Sequence, residues 1–196
     1  MFAITPCAAG CGRPAINGSN LCFIHQADKE QETKRIIAGI EGNKTVKDLC
    51  VSGMHFTDVD FSHRRFYGCN FHEAVFSKCV FSGSLMRMCF FDFAEFNRCN
   101  FLNSDLQFLS FAGAQILGCD FGGSELVHIN FLGASIDKTS FSNSNLYNSR
   151  FINANLDNVH FIDCNVKRTN FIKARQKNVL FRSSNTAEAV FEQEII

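Results

Sequence analysis

A five-residue beat dominates this chain. Every fifth residue from Val51 to Ile196 gives 30 positions, of which 28 are apolar and 18 are Phe, with Gln176 and Thr186 as the exceptions. A strand repeats its facing every two residues and a helix every 3.6, so a strict five requires a unit that contains its own turn. The register never slips between these positions, which predicts one continuous solenoid.

Two residues before each large position the chain is small: Ala, Cys, Ser, Thr or Val fills 24 of the 29 sites from Met54 to Glu194. In extended backbone i−2 and i face the same way, so both point inward, the small residue making room for the large one. Ala recurs at 74, 94, 114, 134, 154 and 174, and Ser at 84, 104, 124, 144 and 184, each at intervals of twenty. Twenty residues per coil and five per side make a four-sided coil. Two opposite walls are Phe columns, Phe61 to Phe181 and Phe71 to Phe191, while the other two grade from Phe into Met, Leu, Ile and Val. A buried Phe contributes roughly 1.5–3 kcal/mol, so this core is expected to order the chain without a ligand. Three of the departures from the small inward pattern bear on the fold. Arg64 is expected to distort its coil and reach solvent or an acidic partner such as Asp58 or Asp60, and bulky Leu109 and Ile129 are expected to widen their wall by a bulge or shift.

The stretches "SNSNLYNSRF" and "INANLDNVHF" resemble the pentapeptide-repeat family, in which a small residue and a polar one precede Leu or Phe. The resemblance covers about three quarters of the chain. It implies an all-β fold, a right-handed quadrilateral parallel β-helix with four five-residue sides per coil. About seven coils stacked at about 4.8 Å give a rod on the order of 35 Å long.

The first fifty residues differ in kind, and the expected organisation is a zinc-knuckle-like segment at 1–26, a capping helix and linker at 27–45, and the β-helix at 46–196. "CAAGCGRPAINGSNLCFIH" places Cys7, Cys11, Cys22 and His25 as two close pairs separated by a loop containing Gly, Pro and Asn. Three Cys and one His converging in this way suit tetrahedral Zn2+, and four protein ligands leave no open position, so the metal is read as structural. The segment also resembles small zinc knuckles in which a "GC-x-R-P" turn is followed by "LC-x-x-H". From Asp28 the pattern is helical, with Asp28 and Gln31 as a capping box, Glu30 and Lys34 as an i,i+4 pair, Gly42 at the C-terminus and an apolar stripe of Ile36, Ile37 and Ile40. The first coil of a solenoid needs its open end covered. The helix and knuckle therefore read as a lid, with partner recognition by the knuckle as the alternative.

Of the ten cysteines, Cys69, Cys79, Cys89, Cys99, Cys119 and Cys164 take small inward positions and are expected to be free thiols packing as small apolar groups. Nineteen basic and 19 acidic residues balance, there is no long apolar run, and the N-terminus lacks a basic and an apolar signal region, so a cytoplasmic protein without membrane attachment is expected. No phosphate-binding glycine loop, nucleophile elbow or acidic pair appears, and His55, His63, His72, His128 and His160 fall outside the inward register, so no enzymatic activity and no catalytic residue are expected.

The leading function is a non-enzymatic protein-interaction scaffold with an unidentified protein partner. The family resemblance raises an alternative, a DNA mimic that binds a type II topoisomerase and inhibits or protects gyrase. Residues 88–166 hold eight carboxylates against Arg98, Lys138 and Arg150, a net of −5, followed by basic coils from Lys167 to Arg182. Direct nucleic-acid binding is not expected, because no interleaved surface aromatics are evident. The resemblance also implies a homodimer through the C-terminal coils, where Phe191, Ile195 and Ile196 would leave an apolar end.

Overall fold

The computed structural model describes residues 4–192. A short 3-10 turn, Phe23–His25, leads to helix α1, Lys29–Glu41, and the chain then enters a parallel β-solenoid of about seven coils. Twelve three-residue strands, numbered in chain order, build two opposite sides. One side stacks β1 Thr45–Lys47, β3 Arg65–Tyr67, β5 Leu85–Arg87, β7 Asp105–Gln107 and β9 Glu125–Val127. The other stacks β2 His55–Thr57, β4 Val75–Ser77, β6 Glu95–Asn97, β8 Gln115–Leu117, β10 Ser135–Asp137, β11 Asn155–Asp157 and β12 Arg175–Lys177. Partners lie twenty residues apart, as in Phe66 with Met86 and Phe56 with Phe76, which is the coil length read from the small residues.

The remaining two sides are joined only by single parallel bridges, running from Cys50 through Asn70 and Phe90, and from Asp60 through Val80 and Asn100. These are the Phe walls. Their rings stack along the axis, with centroids 4.6 Å apart for Phe71 and Phe91 and 4.5 Å for Phe101 and Phe121. Across the core the two columns meet edge to face, as Phe141 and Phe151 do at 86°. Offset stacks and edge-to-face contacts are the arrangements a ring quadrupole favours.

The corners reveal a requirement that the apolar beat does not. Every fifth residue from Asp48 to Ser183 has positive φ, and seven of these 28 corners are Gly and six are Asn. A chain that turns inward after each side needs a left-handed residue there, and Gly and Asn adopt that conformation at least cost.

The small inward residues do more than make room. Ser124 Oγ donates to Phe101 O at 2.7 Å and accepts from Ser104 N at 3.0 Å, and Ser144 and Ser104 donate in the same way to Phe121 O and Phe81 O. The buried serines therefore satisfy carbonyls and amides between successive coils. The inward thiols are free; Cys164 Sγ lies 3.0 Å from Phe141 O in the same column. Burial holds the Cys89 thiol well above its ordinary range, and the Cys119 thiol together with burial pushes Cys99 up to about 12.

Leu109 and Ile129 produce no bulge. Both are buried, and the bridges Phe90–Ser110–Asn130 and the pairing of β7 with β9 keep an unbroken register. The adjoining walls supply the volume, since Leu106, Leu126, Ile116 and Ile136 stand where earlier coils carry Phe66, Met86, Phe76 and Phe96. Aliphatic residues in place of Phe in the adjoining walls make room for the larger inward residue, a compensating change that close packing tolerates.

Arg64 also departs from expectation. Its partners are neither Asp58 nor Asp60: Nη1 donates to the carbonyls of Ile40, Glu41 and Asn43 at 3.0, 3.1 and 3.2 Å. These carbonyls lie at and just beyond the C-terminal end of α1, where a cation is favoured by the helix dipole, and Ile40 O also accepts from Asn43 N at 3.2 Å. An inward guanidinium is thus accommodated because the coil beneath it is replaced by the helix end. Asp28 caps the other end by accepting from Gln31 N at 2.9 Å, and Lys34 bonds Glu30 at 2.6 Å. Gly42 is the C-cap residue with a right-handed φ of −70°, so its conformational freedom is not what ends the helix.

Ile36 and Ile40 of α1 and Ile16 and Phe23 of the knuckle are buried in the same core as the solenoid, so helix and knuckle close its first coil. At the far end Gln176 is exposed and Thr186 begins a 3-10 turn, Thr186–Glu188. Gln176 still pairs in register with Leu156, so it is the turn at Thr186 that breaks the regular coil. Phe191 is half-buried, 5.1 Å from Phe171 and 5.5 Å from Phe181, whereas Ile195 and Ile196 lie outside the described residues.

Candidate metal centre

Two tight turns bring the four expected ligands together. Gly10 N donates to Cys7 O at 2.9 Å, with Gly10 and Gly12 at φ of 71° and 76°, so the first turn folds Cys11 back toward Cys7. A short antiparallel contact, Pro6 with Pro14 and Ala15 N to Thr5 O at 2.8 Å, aligns the arms. The 3-10 turn after Cys22 sets His25 on the same side, with His25 N donating to Cys22 O at 3.1 Å.

The ligand atoms of Cys7, Cys11, Cys22 and His25 all lie within 4.8 Å of one another, a cluster that could hold a metal ion. Cys7 Sγ and Cys22 Sγ are each 3.4 Å from His25 Nδ1, and Cys11 Sγ is 3.7 Å from Cys22 Sγ. A tetrahedron with Zn–S of about 2.3 Å and Zn–N of about 2.0 Å has edges of about 3.5 and 3.8 Å, so the donor set fits. The Cys22 amide, 3.3 Å from Cys7 Sγ, is the main cause that lowers the Cys7 thiol to about 6, and the neighbouring His25 ring adds to it. Burial raises Cys22.

The cluster is tied to the coil through the loop between its two pairs. Asn17 N donates to Cys50 O at 2.9 Å, and Asn17 Oδ1 accepts from Cys50 N at 2.8 Å, which satisfies both backbone groups of a residue at the open edge of the first coil. Arg35 of α1 holds Asn17 O and Glu32 together. The Phe23 ring lies 5.8 Å from His55, and between knuckle and coil runs a groove lined in part by Arg13, Ile24, Lys29 and Gly53.

Elsewhere the surface is partly self-neutralised. Within the acidic stretch, Asp105 pairs with Arg87, Asp137 with Lys138 at 3.6 Å and Asp157 with Lys177 at 2.9 Å. Surface aromatics are present after all, a feature the apolar beat conceals because they occupy corners. Phe108 stacks on His128 at 4.9 Å and 8°, His128 meets Tyr147 at 6.0 Å, and Arg168 lies 5.9 Å over Tyr147. Met88 and Phe93 are likewise exposed at corners. The available signal was a bulky residue at the position that most often carries Gly or Asn.

A four-sided parallel β-solenoid with a Cys/His-clustered cap is the class of protein that these features define. The Pentapeptide repeat region model matches residues 114–191 and the model of Pentapeptide repeats (8 copies) matches residues 55–92; the chain belongs to the pentapeptide-repeat family. No curated protein matches its sequence. Among solved structures, a trypsin-treated variant of QnrB1, a plasmid-mediated fluoroquinolone resistance protein, is 20% identical over 75% of this chain and 79% of that one, with a TM-score of 0.48. HetL of the cyanobacterium Nostoc, involved in heterocyst differentiation regulation, is 11% identical over 82% of this chain and 96% of its own, with a TM-score of 0.35. Rfr23 of the cyanobacterium Cyanothece is also 11% identical, covering 81% and 99%, with a TM-score of 0.35. None of these likenesses bears on what this chain binds. Among the described residues no helix is long and apolar enough to cross a membrane.

Proposed function

We propose that this chain is a non-enzymatic interaction scaffold, a rigid rod whose faces present polar and aromatic residues to a protein partner. The observation that carries the reading is the filled interior: from Val51 to Phe171 the large inward positions are closed by stacked Phe and aliphatic side chains and the small ones mostly by Ala, Cys, Ser and Thr packed beside them. Arg64 is the one charged inward residue, so accessible chemical variety lies on the outside. The cap adds one structural zinc held by Cys7, Cys11, Cys22 and His25. When bound, the ion supplies a cross-link between the two arms of the knuckle, and the chain's own residues complete its coordination. Metal analysis should find about one zinc per chain. A metal-free preparation in which the knuckle amides stay protected would refute the assignment.

Affinity capture from native lysate, followed by reconstitution with purified partner, tests the scaffold reading. A chain that binds no protein on any face would sink it. DNA mimicry ranks second because three of the eight carboxylates in residues 88–166 are already ion-paired, which lowers an acidic density only about half that of duplex DNA. A gyrase supercoiling assay at stoichiometric protein separates the two. The C-terminal homodimer is proposed on the half-exposed Phe191 at the last stacked position. Sedimentation as a monomer by both the parent chain and Phe191→Asp at micromolar concentration would remove it.

A further inference from the structure

Three corners stand against the pattern of the other twenty-five. Met88, Phe93 and Phe108 hold positive φ of 53°, 57° and 57°, yet they are large, apolar and 58%, 61% and 55% exposed. A left-handed backbone strains any residue with a Cβ, and an exposed ring gains little from burial to offset it. Met88 and Phe108 sit on successive coils of one edge, and with Tyr67 and Phe90 they line a recess of about 350 Å³ that Lys47 and Asp48 also border. Phe93 occupies the next corner of the same side, its ring against the backbone of Gly113.

The charge beside this recess has one dominant sign. The outward residues of β1, β3 and β5 are Thr45, Lys47, Arg65, Tyr67, Leu85 and Arg87, three cations and no carboxylate. Arg87 is held by Asp105, while among the described residues Lys47 and Arg65 pair with no carboxylate; Asp48 is the one anion lining the recess itself. We propose that this aromatic edge docks an acidic, amphipathic peptide segment of a protein partner. Its apolar side chains enter the recess lined by Met88, Phe90 and Phe108, and its carboxylates meet Lys47 and Arg65. The proposal rests on the scaffold reading and names the face and the partner's chemistry.

Area and geometry argue for that occupant. From their fractional exposures, Met88, Phe90, Phe93 and Phe108 offer on the order of 400 Å² of apolar surface. A standard interface takes about 800 Å² from each partner, so the patch alone does not sustain a second copy of this chain, whereas a short segment can be seated on it. Base stacking by a single-stranded nucleic acid needs open ring faces. One face of Phe108 is covered by His128, and Phe93 lies against both Gly113 and the His72 ring at 5.6 Å, which leaves rims and partial faces better suited to aliphatic side chains.

The test uses Met88→Asn and Phe108→Asn, singly and together, in the full chain. Asn already serves at six corners, so both variants should fold with an unchanged or higher denaturation midpoint. A random peptide library of about 12 residues displayed on phage is panned on the parent chain, and enriched peptides are titrated calorimetrically. Peptides pairing Asp or Glu with Leu, Met or aromatic residues are expected, with affinity falling at least tenfold in the double variant and in Lys47→Glu/Arg65→Glu. Undiminished binding to the double variant, or no acidic enrichment, overturns the inference, and binding at another face leaves the scaffold reading standing. Oligo(dT) binding abolished by the same variants would make nucleic acid the occupant and overturn it. A lowered midpoint for Phe108→Asn would show that the ring holds the coil together, which also overturns it.

Discussion

Arg64→Ser places in the first full coil the residue that its column carries at 84, 104, 124 and 144, and removes the contact between solenoid and helix end. One Nη1 has two protons for three carbonyls at 3.0–3.2 Å, so the contact amounts to one or two charge-assisted bonds. A charged hydrogen bond is worth about 1.5–3 kcal/mol and a cation at a helix C-terminus about 0.3–1 kcal/mol. Against this, Arg64 Nε is buried without a partner, which costs about 1–3 kcal/mol and is relieved by the substitution. The expected net loss is about 1–2 kcal/mol, a roughly five- to thirtyfold increase in opening of the cap. Because each coil contacts only its neighbours, the loss should stay local. Hydrogen exchange followed by mass spectrometry should show faster exchange over 29–43 and no change over 131–171. Unchanged exchange in the helix, or acceleration spread evenly along the rod, would refute the reasoning.

Ser124→Ala removes a buried donor to Phe101 O and an acceptor for Ser104 N and should cost about 1–3 kcal/mol in chemical denaturation, with Ser124→Cys costing less because Cys164 fills the same column; equal losses would contradict the ladder. Lys78→Gly, at an exposed corner with φ of 54°, should raise stability by about 0.5–1 kcal/mol, the left-handed strain of about 1–2 kcal/mol being partly offset by the freer unfolded chain; a lower midpoint would count against corner strain. Lys167, at 2.7 Å, and Asn185 lower the Glu188 carboxyl below its unfolded value of about 4.3. Its contribution is therefore present above that value and lost as pH falls through the lower folded one. Protection factors in the 183–190 turn, corrected for the intrinsic pH dependence of amide exchange, should fall below about pH 4 in the parent chain and stay flat in Glu188→Gln; identical profiles would refute the linkage.

The large residue at every fifth position, the small one two before it and the recurrence at twenty together determined a four-sided coil of about seven turns. A coil that turns after every five residues buries the 25 evenly spaced apolar side chains from Val51 to Phe171. The Cys7, Cys11, Cys22 and His25 cluster was legible for a related reason, since ligand spacing around a turn is a local property. Tertiary structure decided what spacing cannot carry. Arg64 reads as a buried charge until α1 ends beside it, because its acceptors lie more than twenty residues away. Leu109 and Ile129 read as a bulge until Ile116 and Ile136 are seen beside them where earlier coils carry Phe76 and Phe96, because the room for a bulky residue depends on its neighbours around the coil. Met88, Phe93 and Phe108 do not stand out in the apolar beat and emerge only when φ and exposure are known, because a corner's handedness and the grouping of corners on successive coils exist only in three dimensions.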